Sequence, residues 1–179
     1  MSAGLDPALG CVLRLSLAIL FAAAAAHKLR DPVRFRATLS DYRLLPEPLV
    51  AAMARALGAI EATLSIALLL PASAAGAAWA GAALLSLYGL AIAVNLLRGR
   101  HHVACGCLGP AAEQPLRGAL VLRNALLVGA AVLAAQPLHV RALSWLDAVT
   151  VLGGAAVLAL LYLAVDALLA SRPALEVRT

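Results

Sequence analysis

Five long apolar stretches, each close to the length needed to cross a bilayer, constrain this chain more than any other feature. A helix that spans the hydrocarbon core needs about 20 mostly apolar residues. The stretches cover residues 8–26, 49–70, 74–97, 118–136 and 147–169. They contain only six charged residues, while the other 17 lie between or beyond them. We therefore expect an all-α, polytopic transmembrane helix bundle with five spans, alternatively four, forming a single domain over residues 1–179.

The composition excludes several classes of protein. Hydrophobic residues make up 64% of the chain and charged residues 13%, whereas a soluble domain has about 25% charged residues. A soluble enzyme domain, a secreted disulfide scaffold and a disordered chain are therefore excluded. The sequence has no nucleotide-binding loop, Ser/His/Asp set or haem-attachment motif, so we predict no specific cofactor.

The basic residues cluster at the ends of the apolar stretches and predict an orientation. Ten of the 14 Lys and Arg residues lie in the first connection, the third connection and the C-terminal tail, and one, Arg141, lies on the opposite side. Cytoplasmic loops carry the excess of basic residues. We predict a multi-pass protein of the bacterial inner membrane with its N-terminus outside and its C-terminus in the cytoplasm. The anionic inner leaflet accounts for the net charge of +5, so no nucleic-acid partner is expected.

A short polar segment follows the first apolar stretch. Residues 33–45 place Phe35 and Tyr42 at helical spacing, with basic residues between them. The segment is too short and too polar to span, and it predicts an amphipathic helix in the interface plane. Pro46 and Pro48 would end this helix and turn the chain into the second stretch.

The third connection carries the strongest chemical signal, the sequence RGRHHVACGC from Arg98 to Cys107. Cys105 and Cys107 can close a small, strained disulfide ring, in which Gly106 permits the tight turn. Arg98 and Arg100 would favour the thiolate form of the cysteines. The pattern favours a site of dithiol/disulfide exchange.

Two other interpretations of this segment stay open. His101, His102, Cys105 and Cys107 supply four ligands within seven residues, which would suit a metal ion. Structural zinc sites, however, usually space their cysteines more widely. The segment could also be an ordinary loop with solvated histidines.

Ionisable residues inside the apolar stretches are the second signal. A charge near the bilayer centre costs at least about 2.5–3.5 kcal/mol, so it normally faces the bundle interior with a partner. Glu61 and Arg123 are the main cases, and Asp166 is expected to pair with Arg55 or Arg123. Glu61 is a candidate proton acceptor for thiol chemistry, supported by a polar cluster. The cluster consists of Lys28, Asn95, Arg98, Arg100, Arg123 and Asn124.

These same residues resemble a known family. The segments HKLRDPVRFRATLSDYRLLP (27–46) and NLLRGRHHVACGCLG (95–109), together with Glu61 and the pair Arg123-Asn124, are similar to the methylamine-utilisation membrane protein family, MauE. A more distant similarity is to DoxX-like proteins. The resemblance implies a membrane protein needed for maturation of methylamine dehydrogenase, whose small subunit carries a tryptophan-derived quinone and many disulfides. It also implies a thioredoxin-like partner protein.

The residues and the resemblance together predict a redox-associated membrane protein. It would be a thiol-disulfide or electron relay, and so a component of a thiol-disulfide oxidoreductase system. An alternative is a non-catalytic accessory or scaffold subunit, because small residues allow helices to pack closely within the chain, with a second copy or in a complex. These residues are Gly76, Gly81, Gly89, Gly129, Gly153 and Gly154. Metal handling through the His/Cys segment is the third hypothesis.

The predicted orientation conflicts with the implied role. Maturation of methylamine dehydrogenase takes place outside the cytoplasm, whereas the basic residues place Cys105 and Cys107 on the cytoplasmic side. Three explanations stay open. The loop takes electrons from cytoplasmic thiols, it dips into the membrane and is reached from the other face, or one span is wrongly assigned.

Overall fold

The computed structural model describes residues 4–101, 103–106, 116–139 and 141–171, with side chains as far as residue 168. Over these ranges the regular structure is all-α apart from isolated bridge positions, among them the pair Leu5 and Leu138, which confirms the predicted fold class. The helices are α1 (Pro7–Arg30), α2 (Pro32–Asp41), α3 (Glu47–Leu69), α4 (Ala74–Leu97), α5 (Gly118–Ala134) and α6 (Trp145–Ser171).

All five apolar stretches are confirmed as helices. Among the described residues, α1, α3, α4 and α6 are long and apolar enough to cross a membrane. With 17 residues, α5 is about 26 Å long, slightly less than the hydrocarbon core of about 30 Å. It still runs the height of the bundle. Leu116, just before α5, donates to the carbonyl of Val103, and Ala134 at its end accepts a hydrogen bond from Arg14 of α1.

Capping residues set the ends of the first two helices. Asp6 accepts hydrogen bonds from the backbone N–H groups of Ala8 and Leu9, and a proline follows it at the first helical position. Asp31 ends α1 and also caps α2 by accepting from the N–H of Arg34. The chain therefore changes direction at a single residue, which places α2 directly beside the end of α1.

The core lies between α1, α3, α4 and α5. Phe21 of α1 and Leu68 of α3 are each 2% exposed, and Ala131 of α5 is fully buried. Gly81 allows α4 to approach α1, because a Cβ at this position would lie 3.0 Å from the Phe21 ring. By contrast, α6 packs on α1 from outside and exposes most of its leucines. In a membrane this surface faces lipid.

The two ends of the bundle differ in charge. The N-terminal end comprises residues 4–7, 70–73, 137–139 and 141–147, and the basic end comprises residues 28–45, 98–101, 103–106 and 116–117. At the N-terminal end, Arg141 pairs with Asp6 at 3.2 Å and with Asp147 at 2.8 Å. The hydrogen bond from Arg141 lowers the pKa of the Asp6 carboxyl below its usual value. The basic end carries eight of the Lys and Arg residues. Which side of the membrane each end faces stays a prediction.

The amphipathic helix predicted after the first apolar stretch is present as α2, but it is shorter than expected, and its place at the membrane interface stays a prediction. It ends at Asp41 rather than near residue 45, because Arg43 adopts a left-handed backbone conformation with φ of 47°. Phe35 is buried, whereas Arg34 and Arg36 on the same helix are exposed. The helix is therefore amphipathic, with an aromatic residue toward the bundle and guanidinium groups at its surface.

Candidate functional site

A buried ion pair joins α1 to α3 near the basic end. Lys28, in the last turn of α1, places its Nζ 2.7 Å from both carboxylate oxygens of Glu61. The two side chains are only 3% and 1% exposed. From α4, the Tyr88 hydroxyl donates to Glu61 Oε1 at 2.8 Å. The carboxylate is thus held by groups from two other helices, which offsets the cost of removing its charge from water.

Aromatic rings enclose the ammonium group of this pair. Lys28 Nζ lies 5.1 Å from the ring centroid of Phe35 on α2 and 5.5 Å from that of Tyr88 on α4. A cation is attracted to the face of an aromatic ring at such distances, most strongly where water is excluded. The short helix α2 therefore contributes directly to the environment of Lys28.

A second buried ion pair joins α5 to α6. Arg123 Nη1 lies 2.7 Å from Asp166 Oδ1, and the side chains are 9% and 7% exposed. The guanidinium carbon lies 5.5 Å from the ring centroid of Tyr162. Of the two partners predicted for Asp166, Arg123 is therefore correct and Arg55 is not. Arg55 is exposed and donates to the carbonyl of Ala51 in its own helix.

Cys105 lies beside the second ion pair. Arg123 Nη2 lies 3.8 Å from Cys105 Sγ, and the cysteine is 6% exposed. The Tyr42 hydroxyl donates to the carbonyl oxygen of Cys105 at 3.0 Å, which fixes the backbone at this point. The cation next to the sulfur is Arg123 in α5, whereas the sequence favoured the arginines of the loop itself. A positive charge at this distance stabilises negative charge on sulfur.

Gly106 is required by the position of the loop against α2. Its φ is 70°, a left-handed conformation that side chains rarely adopt. A Cβ here would also lie 2.7 Å from Thr38 Cγ2. Both observations explain why a glycine is needed here and how the chain brings Cys105 close to α2. The tight turn between Cys105 and Cys107 stays a prediction, because Cys107 lies outside the described ranges.

A small cavity lies between the two ion pairs. Its volume is about 30 Å³, and its lining includes Lys28, Glu61, Arg123, Asn124 and Tyr162. Such a space is large enough for a water molecule. At least one residue of each charged pair therefore borders the same small space, whose lining is otherwise largely apolar.

The remaining members of the predicted polar cluster are less closely involved. Asn95 and Asn124 are buried, and their amide groups donate to backbone carbonyls one turn earlier in their own helices, at 3.1 and 2.9 Å. The side chain of Arg98 is exposed, and that of Arg100 is half-buried. Asn124 nevertheless lines the small cavity. The structure therefore brings Lys28, Arg123 and Asn124 together and leaves Arg98 at the surface.

Sequence reasoning missed the aromatic part of the site. The chain has only three tyrosines, and all three contact this region. Tyr88 donates to Glu61, Tyr42 donates to Cys105, and the Tyr162 ring lies beside Arg123. The signal that could have found them is their scarcity, because aromatic residues make up only 4% of the chain.

Two candidate residues, His102 and Cys107, lie outside the described ranges. Among the residues that are described, no group of three or more His, Cys, Asp or Glu is placed to hold a metal ion, and no disulfide is present. The metal hypothesis and the pairing of Cys105 with Cys107 both stay predictions.

Comparison with known proteins identifies the family. The family described as "Methylamine utilisation protein MauE" matches residues 6–137. The chain belongs to the MauE family. It is 40% identical over 163 residues to the methylamine utilization protein MauE of Methylophilus methylotrophus, covering 90% of this chain and 86% of that protein. The identity to the protein of the same name from Paracoccus denitrificans is 39% over 127 residues, covering 71% and 68% of the two chains. No solved structure matches.

Most of the site of this MauE family member lies within the matched range. Lys28, Glu61, Cys105 and Arg123 all fall inside residues 6–137. By contrast, α6 begins beyond that range and contributes Asp166, the ionic partner of Arg123. The second ion pair therefore links the matched region to a helix that follows it.

Proposed function

We propose that this chain is a membrane component of methylamine utilisation and acts there as a thiol-disulfide relay through Cys105 and Cys107. Membership of the MauE family supports the first part. The observation that carries the second is the 3.8 Å approach of the Arg123 guanidinium to Cys105 Sγ. A cation in this position favours the thiolate, which is the form that attacks disulfides.

In the proposed exchange, a reduced thioredoxin-like partner delivers two electrons to the oxidised relay. One partner thiolate attacks a sulfur of the Cys105–Cys107 disulfide and forms a mixed disulfide. The second partner thiolate then displaces the relay cysteine, which leaves the partner oxidised and both relay cysteines as thiols after uptake of two protons. The oxidised partner can then introduce a disulfide into the small subunit of methylamine dehydrogenase.

The two ion pairs have different roles in this proposal. Asp166 holds the guanidinium of Arg123 against Cys105 and balances its charge. Glu61 is bound by Lys28 and Tyr88 on the far side of the small cavity. Glu61 remains our candidate proton acceptor, because it lines the same small cavity as Arg123, the residue that contacts Cys105 Sγ.

Cys105→Ser and Cys107→Ser, singly or together, are expected to abolish the accumulation of active methylamine dehydrogenase, because neither exchange step can occur with one sulfur. The measurement combines enzyme activity with maleimide gel-shift analysis of native membranes, which should show both thiols appearing together after mild reduction. Cys11→Ser is the matched control, since Cys11 lies in α1 near the opposite end of the bundle. Normal enzyme maturation in the double serine variant would overturn the relay.

An accessory or scaffold function is the second candidate. Gly76, Gly129 and Gly153 have open space where a Cβ would lie, whereas Gly81 and Gly154 are used for packing against Phe21 and Val12 within the chain. The first three leave small-residue surfaces on which another helix could pack. Retained partner binding together with retained enzyme maturation in the double serine variant would favour this function.

The orientation of the bundle can be tested at exposed positions of its two ends. We expect Ala72→Cys, at the N-terminal end, to react with a membrane-impermeant maleimide in intact spheroplasts. Arg36→Cys, at the basic end, should react only after the membrane is permeabilised, because the excess of basic residues is retained in the cytoplasm. Both variants are made in a background that lacks the native cysteines. Labelling of Arg36→Cys in intact spheroplasts would place the relay on the outer side.

A further inference from the structure

An apolar pocket opens beside Cys105, between α2, α3 and α4. Its volume is about 240 Å³. The inner wall includes Ile92 and Leu84, which are 1% and 6% exposed. At the mouth, Met53 of α3 and Leu87 of α4 are 37% and 61% exposed. Both residues lie in membrane-spanning helices, so the mouth faces lipid, and a ligand would enter from the bilayer.

The lining of this largely apolar pocket includes a cation and the proposed redox group. Lys28, Tyr88 and Cys105 all line it. An ammonium has three N–H donors, and the two carboxylate oxygens of Glu61 account for two of those on Lys28. The third can serve an acceptor oxygen in the pocket. A suitable ligand is therefore apolar, carries a carbonyl oxygen and comes from the membrane.

A second apolar pocket provides a comparison. It lies between α1, α5 and α6, has a volume of about 290 Å³ and is lined by no Lys, Arg, Asp, Glu or Cys among the described residues. An acyl chain fills such a space without any polar partner. The pocket beside Cys105 differs from it by the ammonium and the thiol, which an acyl chain would leave unused.

We propose that the pocket beside Cys105 binds a lipid-soluble quinone, which accepts the electrons collected by the relay. This inference rests on the proposed function and names its electron acceptor. Two S–H bonds of the Cys105–Cys107 dithiol break and one S–S bond forms. The two electrons and two protons convert both quinone carbonyls to hydroxyls. The Lys28 ammonium stabilises the negative charge that develops on one quinone oxygen.

The test uses the full chain in lipid nanodiscs, reduced with dithiothreitol and freed of it. A ubiquinone with a single isoprene unit is added, and both quinol formation and loss of thiols are followed. We expect one quinol per protein. Ala91→Phe, which fills the pocket, should raise the half-saturating quinone concentration by at least about tenfold. Ala130→Phe, which fills the second pocket, should leave it unchanged.

Each outcome separates this inference from the relay itself. Oxidised protein is tested in parallel for exchange with reduced thioredoxin. Exchange without quinol formation would overturn the quinone site and leave the relay intact, whereas absence of exchange in the unmodified chain would overturn both. Equal effects of Ala91→Phe and Ala130→Phe would exclude the pocket as the quinone site. If Ala91→Phe fails to fold, Leu87→Trp narrows the exposed mouth instead.

Discussion

Lys28→Met is expected to lower the free energy of unfolding by about 3–5 kcal/mol, because it leaves the Glu61 carboxylate buried without its cation. Glu61 is 1% exposed, and Lys28 supplies hydrogen bonds to both of its oxygens. Bulk water does not reach this carboxylate, and a neutral water in the small cavity would not supply the missing positive charge. The measurement is reversible unfolding of the purified protein in detergent, compared with the unmodified chain.

The double variant Lys28→Met/Glu61→Gln tests whether Lys28 and Glu61 stabilise the fold as a pair. Both charges are removed, and the glutamine carbonyl can still accept the hydrogen bond from Tyr88. We expect the double variant to be more stable than either single variant, because replacing a buried ion pair by neutral groups is often close to neutral. If the loss of unfolding free energy in the double variant equals the sum of the losses in the two single variants, the two residues do not act as a pair.

Arg55→Met is the matched control for the loss of a basic residue in a membrane-spanning helix. Arg55 is exposed, and its Nε donates only to a carbonyl of its own helix. Its removal should change the free energy of unfolding by less than about 1 kcal/mol. A loss as large as that of Lys28→Met would mean that any change of charge in these helices destabilises the protein, whatever its partner.

The sequence was sufficient to predict the helices and the two buried charged residues, Glu61 and Arg123, around which the site is built. Apolar stretches of spanning length allow little except a helix in lipid, because all backbone groups must be satisfied internally. Glu61 and Arg123 were identifiable because a charge in such a stretch requires a buried partner. Both are indeed buried in ion pairs. For Asp166, the sequence left both Arg55 and Arg123 as possible partners. The structure decides for Arg123, because Arg55 is exposed.

The contact partners of the site residues, and the distances between them, depend on tertiary packing, so the sequence could not predict them. Tyr88 reaches Glu61 because α3 and α4 pack at that level, and no spacing along the chain encodes this contact. Tyr42, at the C-cap of α2, reaches the Cys105 carbonyl because the loop after α4 packs against α2, where Gly106 lies beside Thr38. No local pattern in the sequence encodes this approach. The sequence also favoured Arg98 as the cation near the cysteines. Its side chain is instead exposed, because α4 ends at Leu97 and Arg98 begins the loop.

Arg123→Gln/Asp166→Asn is expected to keep the fold and to slow the reaction of Cys105 with iodoacetamide by about tenfold at neutral pH, since the thiolate loses the adjacent cation. Removing both partners avoids a lone buried carboxylate, so stability should fall less than in Arg123→Gln alone. The measurement is made in a Cys107→Ser background, with modification of Cys105 followed by peptide mass spectrometry. Cys11 in the same molecules provides the internal control.

The dependence on pH distinguishes a chemical role for Arg123 from a structural one. Without the guanidinium 3.8 Å from Sγ, alkylation of Cys105 should need a higher pH to reach half of its maximal rate. Arg123→Lys, with Asp166 retained, keeps a positive charge in the pair and should recover part of the lost rate. An unchanged pH profile in the double variant, with the fold intact, would show that Arg123 only packs beside the sulfur. Cys105 would then need another source of thiolate stabilisation for the relay to operate.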